Sequence, residues 1–278
     1  MRVAITGGWG RVGRAIVPAA LAQGWEVVVI DREPAPQDAP EVAQAMVLEM
    51  ADRDGLLAAF RGCDALIHMA AIPSPRGRHP HDVHNLNVTG SYNALDAATA
   101  AGIRRIVQGS SVNAIGLAYS VHHRFECFPI DETHPFRGDD PYALSKWICE
   151  LQGQALAQRV PGLQVASLRM HWVVPDRATA VRRFTLEAAD GRRELWAYTL
   201  DTEAARACVL ALETEFGGHE VFQVVAPDTT LEVPTAEAVA RFYPEVPLSR
   251  PLEGCESLFD SSKAGRLLGW HHPAGAAS

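Results

Sequence analysis

With 278 residues, 47% of them hydrophobic, the chain can bury a sizeable core as one large domain or as one domain with a small appendage. Charged residues at 21% and a net charge of −8 exclude the disordered class and argue against a nucleic-acid partner. Five scattered cysteines without a C-x-x-C pair suit reduced thiols in the cytoplasm better than a disulfide framework, and no signal peptide or long apolar span points to a membrane.

The first apolar run, Val3-Ala4-Ile5, ends in Thr6-Gly7-Gly8-Trp9-Gly10-Arg11-Val12-Gly13. A helical pattern follows to Leu21, and Val27-Val28-Val29-Ile30 then leads to Asp31. Strand, glycine turn, helix, strand and acid, in that order, form a βαβ unit suited to a dinucleotide. Gly7 permits the tight turn, Gly10 lets backbone N–H groups approach a pyrophosphate, and Gly13 lets helix and strand pack closely. The phosphates then face a helix N-terminus, beside Arg11 and Val12. Asp31 is positioned to accept hydrogen bonds from both ribose hydroxyls of an adenosine, and its charge repels a 2′-phosphate. NAD is favoured over NADP on that ground, while Arg11 or Arg32, able to pair with the phosphate, keeps NADP open.

A proline-rich loop, 33–40, precedes a third strand over Ala45–Leu48, with Glu49 and Met50 at its end near the expected adenine. Asp52 caps a helix to Phe60. Ala65–His68 reads as the fourth strand, and the small residues of Met69-Ala70-Ala71 follow where backbone must approach a cofactor. The loop from Ile72 to Pro80 brings His79, and His81 and His84 follow just beyond it. These histidines lack a nearby cysteine or the usual carboxylate set, so no metal is expected. Asn85–Ala101 reads as a long helix with Asn87 near its start. Arg105–Gly109 is a fifth strand ending in Ser110-Ser111, and open α/β sheets bind ligands at that end of their strands. Residues 112–139 are irregular, a natural lid or substrate loop.

Asp140-Pro141-Tyr142-Ala143-Leu144-Ser145-Lys146 holds one of only two lysines in the chain. Asp140 reads as an N-cap and Pro141 as the first residue of a helix to about Arg159. Tyr142 and Lys146, four residues apart, share one face of it. A sixth strand, Val165–Arg169, precedes His171-Trp172-Val173-Val174-Pro175 and an arginine-bearing helix whose Arg177, Arg182 and Arg183 read as a solvated face. After Arg192 and Arg193 come a short run, Leu195–Asp201, a helix to Leu212, a strand over Val221–Val225 and two short helices near 235–242 and 261–268. Trp172, Trp196 and Tyr198 read as packing beneath a substrate lid, and the residues from His271 as a frayed tail.

Taken together, Thr6-Gly7-x-x-Gly10-x-x-Gly13, Asp31, Ser111 and Tyr142-x-x-x-Lys146 resemble the extended short-chain dehydrogenase/reductase family, also called the NAD-dependent epimerase/dehydratase family. The resemblance implies an α/β fold, a Rossmann-type doubly wound parallel sheet with a small C-terminal α/β substrate-binding region. Residues 1–170 would bind NAD, and 171–278 would bind substrate, with about 201–225 returning to pack on the Rossmann sheet. The activity implied is hydride transfer between a nicotinamide and a hydroxyl or carbonyl carbon, with Ser111, Tyr142 and Lys146 catalytic. Tyrosine titrates near 10 unperturbed, so a lysine ammonium within roughly 4–6 Å favours the phenolate needed as base. Lys146 would also hold the nicotinamide ribose, Ser111 would orient the substrate oxygen, and His171 stands where relatives carry an asparagine near the cofactor.

No acid follows Ser110-Ser111, which argues against the dehydratases, and Ser-Ser-x-x-x-Ile-Gly is similar to the uronate dehydrogenase branch. That branch places an arginine before a run like Leu195–Asp201 to hold a carboxylate, a part assigned to Arg193 or Arg192. Substrate contacts are then expected from Ser74, Ser111, Val112, Asn113, Tyr142, Trp172 and Arg193. The leading expectation is an NAD-dependent enzyme acting on a sugar, sugar acid or similar polyol. A nucleotide-sugar 4-epimerase is the rival, and a non-catalytic NAD(P)-sensing regulator is the reading from another class. Relatives often pair their two long helices between subunits, which implies a homodimer.

Overall fold

The structure, a computed structural model, describes residues 1–274. Strand β1 (Arg2–Thr6), helix α1 (Gly13–Ala22) and strand β2 (Glu26–Asp31) open the chain, followed by β3 (Gln44–Val47), α2 (Arg53–Phe60) and β4 (Ala65–His68). Helix α3 (Pro80–Ala100), strand β5 (Arg105–Ser111), a short 3-10 turn over Val112–Ile115, helix α4 (Pro141–Arg159) and strand β6 (Gln164–Met170) complete the first two thirds. Then come β7 (Val173–Val174), α5 (Arg177–Arg183), α6 (Ala189–Arg193), β8 (Thr199–Leu200), α7 (Asp201–Glu213), β9 (Gly218–Val224), α8 (Thr235–Phe242) and α9 (Ser262–Leu268).

Seven strands pair in parallel in the order β3-β2-β1-β4-β5-β6-β9. Strands covered on both faces can be apolar at every position, and period two then sorts them between two cores. Val3, Ile5, Val27 and Val29 face α1, α7 and α9, while Ala4, Val28, Ile30 and Leu66 face α2 and α3. Helix α7 and strand β9 return to this sheet, α7 against α1 and β9 beside β6. A third core, built on Phe128, Phe184, Leu195, Trp196 and Tyr243, joins the irregular 112–139 segment to the C-terminal residues.

Three stretches depart from the sequence reading. Helix α3 begins at Pro80, with extended His79 as its cap residue, so Asn87 lies in its third turn and not near its start. Proline at the first helical position is the same signal that starts α4, and it was available at Pro80 too. Only Thr199–Leu200 of the 195–201 run is strand; Leu195 and Trp196 adopt φ of 50° and 51° in a tight turn. The tail does not fray at His271: His272 is buried, and its Nε2 accepts the Leu200 N–H at 3.1 Å. Residues 275–278 of that predicted tail lie outside the described residues.

Candidate active site

The strand order reverses between β1 and β4, and the strands ending at Thr6, Asp31, His68, Ser111 and Met170 align their carboxyl ends along one edge of the sheet. A crevice of this kind is where open α/β sheets take their ligands. Two adjoining cavities run along it, of about 390 and 510 Å³, sharing Met69, Ala71 and Pro73. Each is within the range of small-molecule sites, roughly 300–1,000 Å³.

The first cavity is built on the glycine turn. Gly7 has φ +68°, and a Cβ there would sit 2.7 Å from the Ala70 amide; a Cβ on Gly13 would sit 2.2 Å from the Gly7 carbonyl oxygen. Neither position admits a side chain, so turn, helix and β4 loop close on one another. Gly13 is buried and shapes the turn without lining the cavity. Gly7, Gly10, Asp31, Glu49 and Met50 line it from one side, and Met69, Ala70, Ala71 and Asn87 from the other. The Asp31 carboxylate accepts the Trp9 N–H at 2.9 Å and the Glu33 N–H at 3.3 Å. Arg32 stands at this end, whereas Arg11, the other arginine able to meet a 2′-phosphate, lines the second cavity with Val12. The buried Asn87 amide exchanges hydrogen bonds with both backbone groups of Ile72 and donates to Ser145, so it fixes the β4 loop against α4.

The second cavity gathers Ser111, Tyr142 and Lys146. Asp140 extends before α4 and accepts from the Tyr142 and Ala143 N–H groups at 2.9 and 2.8 Å, which sets Tyr142 in the first turn. Lys146, one turn on, is buried; its Nζ donates to the Gly109 carbonyl at 2.7 Å and lies 6.0 Å from the centre of the Tyr142 ring. The Ser111 hydroxyl oxygen accepts the Asn113 N–H at 3.1 Å, and the hydroxyl also hydrogen-bonds the Tyr142 phenol. Tyr119 meets the Tyr142 ring edge to face at 5.6 Å.

The electrostatics differ from the expectation in one respect. Burial pushes the Tyr142 phenol well above its ordinary value, with the Ser111 hydroxyl opposing that shift, and burial also lowers Lys146. Within the chain's own field burial outweighs any pull of the lysine on the tyrosine. Tyr142 is therefore a protonated phenol at neutral pH.

Other predicted residues fall differently. Ser74, Asn113 and Trp172 line the second cavity, but Val112 is buried in the third core. His171 also lines it, yet its two ring nitrogens are spent within the chain, one accepting the Trp172 N–H at 2.7 Å and the other donating to the Glu194 carbonyl at 2.9 Å. Burial holds it neutral, lowered to about 3. Arg192 and Arg193 lie outside this cleft, around a separate depression with Val121, His123, Phe242 and Tyr243. The arginines in the cleft, besides Arg11 at its cofactor end, are Arg76 and Arg183. The helix read as solvated is so only in part. Arg182 and Arg183 are exposed, but Arg183 stacks 4.8 Å over Trp172, and the half-buried Arg177 pairs with Asp228 at 2.9 Å. Trp196 and Tyr198 are packing, as expected, and Tyr198 donates to Asp228 at 2.8 Å.

Sequence reasoning missed Glu194, which lines the cleft with Tyr119, Arg76 and Arg183. The turn Glu194-Leu195-Trp196 places two bulky residues at positive φ, at a cost of about 1–3 kcal/mol each. No glycine marks that turn, so the only local hint was the charged cluster Arg192-Arg193-Glu194 preceding an apolar run.

A profile of the NAD dependent epimerase/dehydratase family matches residues 3–224. The L-arabinose 1-dehydrogenase (NAD(P)(+)) of Haloferax volcanii is 34% identical over 180 residues, 62% of this chain and 67% of the relative. The UDP-glucose 4-epimerase of Thermus thermophilus, solved in complex with NAD, superposes with a TM-score of 0.72 at 27% identity, over 99% of this chain and 95% of that one. A mutated uronate dehydrogenase shares the fold, with a TM-score of 0.70 at 22% identity over 99% of this chain and 82% of that one.

Proposed function

The chain belongs to the NAD dependent epimerase/dehydratase family, and on that premise we propose an NAD-dependent dehydrogenase that oxidises a hydroxyl carbon of a sugar or similar polyol. The observation that carries the reading is the meeting of Ser111, Tyr142 and Lys146 in one cleft that adjoins the glycine turn and Asp31. The residues fit a dinucleotide: Lys146 spends one of its three N–H donors on Gly109 and faces the cleft with the rest, as holding a ribose diol requires. Bound NAD would supply the hydride acceptor.

The protein's own groups handle the proton. Ser111 donates to the substrate oxygen, and the phenol of Tyr142 exchanges a proton with it. Because burial keeps that phenol protonated at neutral pH, it is ready to act as an acid when a carbonyl is reduced. Oxidation of an alcohol needs the phenolate, so its rate rises with pH while the phenol stays mostly protonated. The sugar-dehydrogenase activity named for the Haloferax volcanii relative supports the substrate class.

A nucleotide-sugar 4-epimerase is the second reading, favoured by the likeness to the Thermus thermophilus enzyme. A panel of free aldoses, sugar acids and UDP-sugars with NAD and NADP separates the two. Net nicotinamide reduction by a free sugar is expected; interconversion of UDP-sugars without net reduction would replace the dehydrogenase with the epimerase.

We further infer a homodimer formed through α3 and α4. Tyr92 on α3 and Leu144 and Leu151 on α4 are large apolar side chains left exposed, of the kind that an interface covers. A cytoplasmic location is part of the same reading, supported by five free cysteines. Among the described residues no helix is long and apolar enough to cross a membrane.

A further inference from the structure

Among the described residues, one carboxyl lining the substrate cleft accepts no hydrogen bond. Glu194 is only 8% exposed, and what it exposes lines the cleft that holds Ser111 and Tyr142. Its nearest donor, His171 Nε2, stands 3.6 Å from Oε2 and is already donating to the Glu194 backbone carbonyl. The chain accepts two left-handed residues, Leu195 and Trp196, immediately after it. That turn is pinned by the Trp196 N–H on the Gly191 carbonyl at 2.9 Å and by full burial of both side chains. A packed turn therefore holds this acceptor against the cleft.

The cleft's arginines at this end, by contrast, already have a carboxylate partner. Asp190 bridges them, meeting Arg183 at 2.9 Å and Arg76 at 3.6 Å, while Arg183 stacks on Trp172 and Arg76 on Tyr119. A molecule entering this end of the site finds Arg76 and Arg183 sharing Asp190 and a carboxylate in need of donors.

We propose that Glu194 reads the substrate by accepting hydrogen bonds from the hydroxyl groups of a neutral polyol, so that the cleft takes an uncharged aldose in preference to a sugar acid or a sugar phosphate. The inference rests on the dehydrogenase reading above and narrows its substrate class. A hydroxyl brings a donor to each carboxylate oxygen, whereas a second anion at the same place confronts the first in a desolvated site.

The groups facing Glu194 are Arg183 from α5, Asp190 from α6, Arg76 from the β4 loop, and His171 and Tyr119, with Tyr142 and Lys146 lining the same cleft. Burial is the largest influence and pushes Glu194 up from 4.5 to about 7, Arg183 and Arg76 opposing it and Asp190 adding to it. The folded chain thus binds this proton more tightly than the unfolded chain. Stability falls as pH rises from 4.5 through about 7, and the ionised form that accepts hydroxyl donors gains population over the same window.

Glu194→Gln, which keeps the shape and removes the charge, is the test, with L-arabinose, D-galactose, D-galacturonate and D-glucose 6-phosphate as probes in the presence of NAD. The wild-type protein is expected to oxidise the neutral sugars with kcat/KM about tenfold or more above either anion. The variant is expected to raise KM for the neutral sugar by about tenfold or more, with kcat changed less and the KM for NAD unmoved. The wild-type KM should fall as pH rises through about 7, and the variant should lose that dependence. At pH 8 the variant should also melt several degrees higher, the reverse of what a merely structural glutamate would give. Preference for the uronate or the phosphate, an unchanged KM in the variant, a lowered melting temperature, or no turnover of any neutral sugar would each overturn the proposal. Oxidation of a sugar acid would do so while leaving the dehydrogenase reading intact. Full turnover in Tyr142→Phe would remove that reading by a separate route.

Discussion

At the scale of single residues, the site rests on side chains whose charges are expensive to bury. Arg169 and Glu150 show this directly behind the cleft. Arg169 donates to both carboxylate oxygens, at 2.9 and 2.8 Å, the side chains are 1% and 6% exposed, and Ser110 donates to the same carboxylate. Removing one partner strands the other, so Arg169→Met should destabilise the fold by about 3–5 kcal/mol. Replacing Glu150 by Leu in the same chain should recover most of that loss, because an apolar pair of similar volume needs no partner. Urea denaturation of the single and double variants reads both effects; equal losses would show that the ion pair is not the cause. The reach of sequence reading is also plainest at this scale. Ser111, Tyr142 and Lys146 carry local signals, a strand end and a four-residue spacing, and the structure brings them together. Arg193 and Glu194 are neighbours in sequence, yet one faces a surface depression and the other the cleft. Arg193 ends α6 and Glu194 is the cap residue beyond it, leading into a left-handed turn at Leu195 and Trp196 that tertiary packing imposes against their own preferences.

At the scale of elements, α4 is the part that aims the chemistry. Its cap is unusually well connected: the Asp140 carboxylate accepts two backbone N–H groups of the first turn and the Ser120 hydroxyl at 3.0 Å. The last of these ties the 112–139 segment to the helix that carries Tyr142. Asp140→Ala should cost about 0.5–2 kcal/mol of stability and lower kcat more than it alters the KM for NAD, while Asp140→Asn should restore most of both. Thermal melts and steady-state kinetics check this; a kcat unchanged in the alanine variant would mean that the cap does not position Tyr142. Start signals of this sort were legible wherever a side chain or a proline announced them, as at Asp52 and Asp140. At Pro80 the same proline signal was present, but inside a loop crowded with histidine and proline it did not stand out as a helix start. The tail was misread for a different reason: its anchor, His272 on Leu200, pairs residues 72 apart, and no local pattern reports that.

At the scale of the whole molecule, the parallel sheet explains both how much could be foreseen and how the site arises. Runs such as Val27–Ile30 are apolar throughout, since both faces are covered, and their ends define the crevice without further information. Which residues of the C-terminal third reach that crevice depends on packing between distant segments, and there the sequence offered little. Helices α3 and α4 pair closely within one chain, through Asn87 with Ser145 and Gln152 with Val88. That leaves Tyr92, Leu144 and Leu151 exposed, the surface proposed above for a second copy. Leu151→Glu should therefore convert a dimer into a monomer with activity per chain largely kept, as light scattering coupled to size-exclusion chromatography would show. A wild-type protein that is monomeric at micromolar concentration would remove the interface.

The central claim is that one tyrosine moves the proton while a bound nicotinamide takes the hydride. Tyr142→Phe tests it most directly, since it removes the hydroxyl and keeps the ring in its packing against Tyr119. With the best free sugar of the panel and NAD, turnover followed by nicotinamide absorbance should fall by about 10²-fold or more, while NAD binding measured by calorimetry stays at the wild-type value. Turnover at the wild-type rate in that variant would contradict the account.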